Sequence, residues 1–599
     1  MKRLNSFDLF DTLITRPVVE PEDIFSLVGI IAQKRKLIKA NLNFRSIREK
    51  AEKIARQKSN SEEIIIDEIY EELRKIAKIS RTVMKKLMQL ELYIEKGYAF
   101  KIAYFKNKPI SKNPIIISDT YLPENLIKQI LKANNIKYNK LYVSSKFKKT
   151  KSMGSLYRKI LNDLKISPNK LHHLGDNKYS DFYIPTKYGI HAEIFSLSRH
   201  TPYEKFIHDE FMHTQNPSLL LLAGVMRSTR LQAYFNSKRE DDIYLVGSNI
   251  IGPLLFTYTF WVLKRAKENK IDILYFVSRD GQILIKIARI LNRYLNFNLK
   301  FKYMYASRES LYLPSITNIM ELNRFIPGTK TKKLDKKIIH GIYIKRELLI
   351  KYLKNLGFDK YKRIGFVDIN STGGQQYAIS NVLDLAGIYP TYGITGFYLN
   401  FYQKFELYKN DKFLSFTDYL KFPKELINGS LIESFAAADH NRCTGYRVKK
   451  DKIIPILSEH NEFDFIKFGL MVERQAVIRF TKTLLHLSLE FGINLNYLLE
   501  TDTVLKLLCM FTRAPGKLVK TFGKIKHATR YNGERTVYLI GDKNNYFANL
   551  IFIFSTRFHT KIFNKYILWP EGNFSYYNHP ILLKLFNLKT RILFLKKSC

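Results

Sequence analysis

A chain of 599 residues, 46% of them hydrophobic, holds enough apolar material for several packed cores, which excludes an intrinsically disordered protein. Lys and Arg number 99 against 54 Asp and Glu, a net charge of 99 − 54 = +45, and such a field attracts phosphates, nucleic acid or an anionic membrane face. Lysine comes with abundant isoleucine, asparagine, tyrosine and phenylalanine throughout, so compositional bias competes with a selected polyanion surface; without zinc-finger spacing or a nucleic-acid motif, no specific nucleic-acid partner is expected.

The first element, over 5–14, reads as a short apolar strand that ends on Asp8 and runs into a polar turn through Phe10, Asp11 and Thr12. It puts Asp8 at the carboxyl end of a sheet, where open α/β folds collect their chemistry. After Arg16-Pro17 the apolar spacing becomes helical through 24–31, 64–79 and 83–105, so 17–112 is expected as a helical insertion. Arg45 and Arg48 on it are candidates for meeting a substrate anion, against the plainer reading of solvated helix faces.

From 114 to 198 strand-like and helix-like runs alternate, the rhythm of a doubly wound parallel sheet. Ser118 ends one apolar run, Lys151 sits in Thr150-Lys151-Ser152, and Asp176 and Asp181 follow Gly175 in a G-D-x-x-x-x-D spacing. Each has a plain structural alternative: turn former, helix cap or surface lysine. A helical connector over 201–242 breaks at Asn216-Pro217. The most apolar stretch, 250–263, falls short of the roughly 20 residues that span a bilayer, so a buried helix and no transmembrane segment are expected.

A second α/β alternation occupies 243–415. Apolar runs empty into Ser278-Arg279-Asp280-Gly281, into Ser307-Arg308 and, after Asp368, into Ser371-Thr372-Gly373-Gly374. Small residues and free amides ahead of a helix make an anion cradle, so Ser371, Thr372, Gly373 and Gly374 are candidate phosphate ligands, against a ligand-free turn, and Arg279, Asp280 and Asp368 are counted with them on the resemblance named below. The remainder, 416–599, reads as mainly helical, with strands near Tyr446 and over 537–540. His440, Asn441 and Arg442 could contribute to a site, although a lone histidine is more often structural. The Leu, Phe and Lys mixture of 582–597 fits a membrane surface or docking onto its own domain. Cys443, Cys509 and Cys599 lie far apart without ligand spacing, and no secretory segment precedes the first strand; a reducing, cytoplasmic setting is expected.

Taken in order, the stretch at Asp8 resembles motif I of the haloacid dehalogenase (HAD) superfamily, 115–122 with Ser118 resembles motif II, Lys151 motif III, and Gly175 to Asp181 motif IV. The resemblance implies a Rossmann-like HAD core over 1–16 and 113–200 with a helical C1 cap over 17–112. It further implies Asp8 as nucleophile, Ser118 and Lys151 on the transferring phosphoryl group, and Mg²⁺ held by Asp8, the Phe10 carbonyl and Asp176 with Asp181 in support. One departure stands out: where phosphatases of this superfamily carry a second Asp as general acid, this chain has Phe10. Such proton transfer contributes typically 10²–10⁴-fold. Asp11 is the candidate replacement, and a leaving group of low pKa needs none. Dehalogenases and phosphonate-cleaving relatives also lack that Asp.

The F-D-x-F-D-T-L form is similar to that of long multidomain HAD-like proteins associated with surface polysaccharide biosynthesis, which implies a sugar phosphate or related intermediate as substrate. The loop 368–374 resembles the phosphoribosyl-pyrophosphate loop of type I phosphoribosyltransferases, with Val367 in place of its first acid. The leading expectation is therefore an Mg²⁺-dependent HAD-like phosphohydrolase. The alternatives are a glycosyl- or phosphoribosyl-transferring enzyme centred on 243–415, with the HAD domain accessory, and a non-catalytic basic scaffold on the inner, anionic face of a membrane.

Overall fold

The computed structural model describes residues 3–107, 114–325, 336–459, 464–528, 536–540, 568–586 and 588. The chain divides into two compact units, residues 1–241 with 483–495, and 242–482 with 496–599.

The first unit is built on five parallel strands. β1 (Leu4–Asp8) is followed by a short antiparallel pair, β2 (Ile14–Thr15) and β3 (Phe100–Lys101), then by β4 (Ile115–Ser118), β5 (Lys140–Val143), β6 (Leu171–Gly175) and β7 (His191–Ile194). The sheet order is β5-β4-β1-β6-β7, all parallel. The chain winds away from β1 on one side and returns on the other, which opens a crevice at the carboxyl ends of β1 and β6. β4 is buried along its whole length, as its run of isoleucines requires in a sheet covered on both faces. Helix Glu124–Ala133 buries Ile127, Ile130 and Leu131, one face at helical spacing, and Ser155–Leu164 buries Leu156, Tyr157, Ile160 and Leu161. Each such side chain contributes about 1.5–3 kcal/mol of burial before conformational entropy is charged against it.

Between β2 and β3 lie four helices, Asp23–Lys34, Phe44–Lys58, Ile66–Ala77 and Arg81–Tyr98. Asn43 and Ser80 cap two of them, accepting from Ser46 N at 3.1 Å and Val83 N at 3.3 Å. Helices Pro202–Thr214 and Pro217–Leu231 belong to this unit too, and the break between them is an Asn-Pro start in which Asn216 Oδ1 accepts from Ser218 N at 3.0 Å.

The second unit carries β8 (Ile273–Val277), β9 (Lys300–Met304), β10 (Ile364–Ser371), β11 (Ile394–Phe401) and β12 (Lys412–Ser415) in the order β12-β11-β10-β8-β9, all parallel. The winding reverses between β8 and β10. Gly281 starts the helix after β8 because a Cβ there would fall 2.6 Å from the Phe276 carbonyl carbon. The unit also includes the described parts of 416–482 and 496–599. There the mainly helical expectation is joined by two antiparallel hairpins, β13 (Cys443–Lys449) with β14 (Lys452–Leu457), and β15 (Lys526–Ala528) with β16 (Thr536–Tyr538). Most of the 582–597 tail and Cys599 lie outside the described residues.

The apolar stretch at 250–263 is part of one longer helix, Lys238–Glu268, of 31 residues. Length therefore does not exclude a span, contrary to the sequence argument. The apolar window of this helix is 94% buried, the condition of a core helix.

Candidate active site in the first unit

β1 delivers Asp8 to the crevice, and pairing in register with β4 sets Asp8 opposite Ile117, so Ser118 follows one residue further along the neighbouring strand. Ser118 is 1% exposed, and its hydroxyl has no hydrogen-bond partner among the described residues. Lys151 Nζ donates to Asp8 Oδ1 and to Asp181 Oδ1, both at 2.5 Å. Asp181 also accepts from Asn177 N at 3.0 Å and meets His173 Nε2 at 3.3 Å, while His173 Nδ1 lies 3.0 Å from Ser6 Oγ. Gly175 makes that approach possible, since a Cβ would fall 2.4 Å from Asp181 Cγ. Asp176 accepts from Thr12 Oγ1 at 3.3 Å. Asp8, Asp176 and Asp181 each place one carboxylate oxygen within 4.8 Å of the others. These groups line a cavity of about 1060 Å³, together with side chains of the helical insertion such as Phe25, Glu49 and Lys53.

The electrostatics follow from burial and crowding. Burial opposes the Lys151 charge, but Asp181 and Asp8 outweigh it and raise its pKa, so it is an ammonium at any working pH. Burial would raise Asp181 as well; Lys151 and His173 hold it well below the ordinary carboxylate range. Burial, then Asp11 and Asp181, push Asp176 up to about 6. Burial first, then Asp181 and Asp176, push Asp8 well above the ordinary carboxylate range against the pull of Lys151, so three carboxylates crowd a single ammonium and the place is short of positive charge. That deficit and the all-oxygen donor set fit Mg²⁺, which favours hard carboxylate and carbonyl ligands.

Asp11 is spent on structure. It adopts φ +56°, accepts from Thr15 Oγ1 at 2.6 Å and from Arg227 Nη2 at 2.7 Å, and its pKa falls to about 2. Burial opposes this shift, and the Arg227 and Arg16 charges overcome it. Arg227, 2% exposed, also donates to Val18 O at 3.0 Å and Ser198 O at 3.2 Å. A carboxylate so held is drawn to its ionised form and restrained by Arg227 while still lining the cavity, an arrangement that favours a positioning role over the expected one of replacement acid. Phe10 lines the cavity, with the Arg16 guanidinium 4.6 Å from its ring centroid and Arg16 paired to Glu95 at 3.0 Å.

Arg45 and Arg48 are corrected too. Arg48 is fully buried, donating to both oxygens of Glu91 at 3.0 and 2.9 Å, and Arg45 pairs with Asp23 and Glu49 at 2.8 Å. Both hold the helices together; neither lines the cavity. Three contributors went unassigned in the sequence. Asp119 accepts from Lys151 N with both oxygens at 2.9 Å and so fixes the lysine loop. His173 steadies Asp181, and Arg227 restrains Asp11. Arg227 left one trace, an arginine that directly follows the apolar run from Leu219 to Met226.

No protein-family model matches the chain, and no curated protein matches it. Among solved structures it is similar to 2-haloacid dehalogenase from Pseudomonas syringae pv. Tomato DC3000, at 12% identity over 34% of this chain and 89% of that one, TM-score 0.28. It is similar to a HAD family enzyme from Bacteroides thetaiotaomicron in complex with magnesium and inorganic phosphate, at 13% identity over 34% and 98%, TM-score 0.23. A predicted phosphoglycolate phosphatase from Haemophilus somnus 129pt is similar at 12% identity over 32% and 83%, TM-score 0.23. These neighbours are HAD-family hydrolases.

The candidate phosphate ligands of the second unit gather around a separate cavity of about 220 Å³, which Arg279, Asp280, Asp368, Ser371, Thr372 and Gly374 help to line. Gly373 takes φ +88° immediately before the helix Gly374–Leu385. Arg442 reaches this cavity while pairing with Glu309 at 2.9 Å. His440 and Asn441 do not line it: His440 Nε2 meets Tyr303 OH at 2.7 Å and Asn441 Nδ2 donates to Ser458 O at 2.8 Å.

Proposed function

We propose that the first unit is a HAD-type, Mg²⁺-dependent phosphohydrolase acting in the cytoplasm on a small phosphorylated metabolite, with a sugar phosphate or an intermediate of cell-surface polysaccharide biosynthesis as the substrate class. The observation that carries this reading is the Lys151 ammonium set between Asp8 and Asp181 at 2.5 Å, with Asp176 completing the carboxylate cluster at the end of the crevice.

In this reading an Asp8 carboxylate oxygen attacks phosphorus, the bond to the leaving oxygen breaks, and an aspartyl phosphate forms; water then releases phosphate and restores Asp8. Lys151 neutralises charge on nucleophile and phosphoryl group together, and it is held for that task by Asp181 and by the Asp119 grip on its backbone. The Ser118 hydroxyl, unpaired among the described residues, is placed to donate to a phosphoryl oxygen. Mg²⁺ held by Asp8, Asp176 and the Phe10 carbonyl would supply the positive charge that the carboxylate cluster lacks.

The test is phosphate release from a panel of sugar phosphates and other phosphomonoesters, with Mg²⁺ and with EDTA, comparing wild type with Asp8→Asn; halide release from 2-haloacids runs beside it. Mg²⁺-dependent turnover abolished by Asp8→Asn is expected. Halide release without phosphate release, or phosphate release indifferent to Asp8→Asn, overturns the reading.

A further inference from the structure

With Phe10 in the turn after β1, the proposed hydrolase has no acid there for the departing oxygen, yet a cation stands beside that ring. Arg16 follows β2 directly, at the entry to the helical insertion, and its guanidinium carbon lies 4.6 Å from the Phe10 ring centroid. It is 7% exposed and shares a cavity lining with Asp8, Ser118 and Lys151. The turn therefore sets a fixed positive charge against the residue two places beyond Asp8.

Arg16 has donors to spare. A guanidinium presents a fork of N–H groups along Nε, Nη1 and Nη2. Arg16 spends Nη1 on the two oxygens of Glu95, at 3.0 and 3.2 Å, and its Nε and Nη2 meet no acceptor among the described residues. Arg56, another arginine of the cavity lining, commits all three nitrogens to Glu52 and Glu63, and Arg48 behind it commits all three to Glu91 and Glu52. Lys53 also lines the cavity, but it is exposed and no carboxylate among the described residues holds it in place.

The charge of Arg16 and its place are both secured. Burial opposes the guanidinium charge, and Glu95 and then Asp11 outweigh it. Glu95 reaches it from the last helix of the insertion, Arg81–Tyr98. Phe10 suits this arrangement. A carboxylate at position 10 would pair with Arg16 and occupy its remaining donors, whereas an aromatic ring attracts the guanidinium through its face and leaves the N–H groups free. A guanidinium keeps its proton and cannot act as an acid, but preorganised donors stabilise negative charge that develops in front of them.

We propose that Arg16 is a catalytic residue of the first unit, an inference that rests on the hydrolase reading, and that its Nε and Nη2 groups donate to the ester oxygen that leaves as Asp8 attacks. As an Asp8 oxygen bonds to phosphorus, the bond from phosphorus to the leaving oxygen breaks and its electron pair stays on that oxygen. Arg16 stabilises the resulting anion, which then takes a proton from water. The hydroxide left behind is neutralised by the proton released when a second water cleaves the aspartyl phosphate. Glu95 is the positioning residue that holds the guanidinium for this task. The donor offsets part of the loss of a true acid, most of all where the leaving oxygen is a strong base.

The test is kcat/KM with Mg²⁺ for phosphomonoesters whose leaving groups run from p-nitrophenol through phenol to a primary alcohol, in wild type, Arg16→Met, Glu95→Gln and Asp8→Asn. One preorganised donor supplies about 10²–10³-fold, so the ratio of p-nitrophenyl to alkyl ester turnover should rise about tenfold or more in Arg16→Met. Glu95→Gln should steepen the dependence on leaving-group pKa in the same direction, and added guanidinium ion should restore part of the alkyl ester rate of Arg16→Met. A ratio between substrates does not depend on how much of a variant is folded. Should Arg16→Met fail to fold, Arg16→Lys, which keeps a charge for Glu95 and loses the fork, is read in its place with the same steepening expected. An equal loss on every ester, or an unchanged profile, means that Arg16 only braces the insertion and overturns the proposal. The hydrolase reading has its own check in p-nitrophenyl phosphate turnover that Asp8→Asn abolishes. Without that turnover the reading falls and this inference with it; with it, an unaltered slope in the Arg16 variant overturns the inference alone.

Discussion

Asp368→Asn should stabilise the ligand-free protein, and it should do so only where the aspartate is ionised. Burial raises Asp368 from 3.8 to about 7, with Glu433 adding to the shift. Three pKa units at about 1.36 kcal/mol each set a ceiling of about 4 kcal/mol, and sharing among neighbouring acids brings the expectation to roughly 2–4 kcal/mol. The sign follows from the direction. A carboxyl whose folded pKa is raised contributes stability that is complete below its unfolded value near 3.8 and is lost as pH rises through about 7. Asparagine keeps the acceptor for Ile369 N and has no charge to desolvate, so its stability does not decline over that interval. With the second unit spanning 242–482 and 496–599, an unfolding entropy of about 2.1 cal/mol/K per residue makes 1 kcal/mol worth about 1.5 °C. Thermal unfolding at pH 8 should therefore show the variant about 3–6 °C above wild type, with the two curves converging at pH 4. Parallel pH profiles, or a variant less stable than wild type at pH 8, would mean that Asp368 is a satisfied structural carboxylate and would refute the reasoning.

Two further outcomes concern the turn after β1. Asp11→Asn keeps an oxygen for Arg227 and tolerates the positive φ, so steady-state phosphate release should fall less than tenfold; a loss of about 10²–10⁴-fold with unchanged thermal stability would restore Asp11 as the proton donor. Arg227→Met strands a half-buried Asp11 carboxylate, 20% exposed and still beside Arg16 and Thr15, so the loss should stay below the about 3–5 kcal/mol of a fully buried pair, and Asp11→Asn added to it should recover a measurable part of the midpoint; additive losses in the double variant would show that the pair is uncoupled.

What could be read in the sequence was whatever is local. Asp8, Ser118 and Asp176 could be placed because each follows an apolar run that is a strand in the structure, and the parallel sheets follow from those runs alternating with helical ones. Pairing between distant residues left no such mark. Arg48 looked like one more basic residue on a helix, and only the approach of Glu91 from another helix makes it a core residue. Asp11 looked available for chemistry because Arg227, which claims it, stands 216 positions away. The helix at Lys238–Glu268 shows the limit from the other side: the apolar count was right, but the helix extends beyond the apolar residues, and burial rather than length describes it.

The turn at Phe10 and Asp11 constrains the chemistry more than any missing ligand does. An aromatic ring stands where a proton donor would serve, and an arginine cation lies over it, an arrangement that stabilises the ring and offers the leaving group no acid. The next carboxylate is ionised by Arg227 and committed to the fold of the turn. In the proposed reading, Asp8 as nucleophile and Lys151 as charge clamp then work without an acid two residues beyond Asp8. A phosphohydrolase of the kind proposed for the first unit would then discriminate by leaving group: esters whose oxygen departs as a stable anion would lose nothing, and alkyl phosphates would lose most of the 10²–10⁴-fold that a donor contributes. Anomeric sugar phosphates, whose leaving oxygen is more acidic than that of a primary alcohol, fall on the favoured side, and this is the chemical reason to prefer them among the phosphorylated sugars proposed for the first unit.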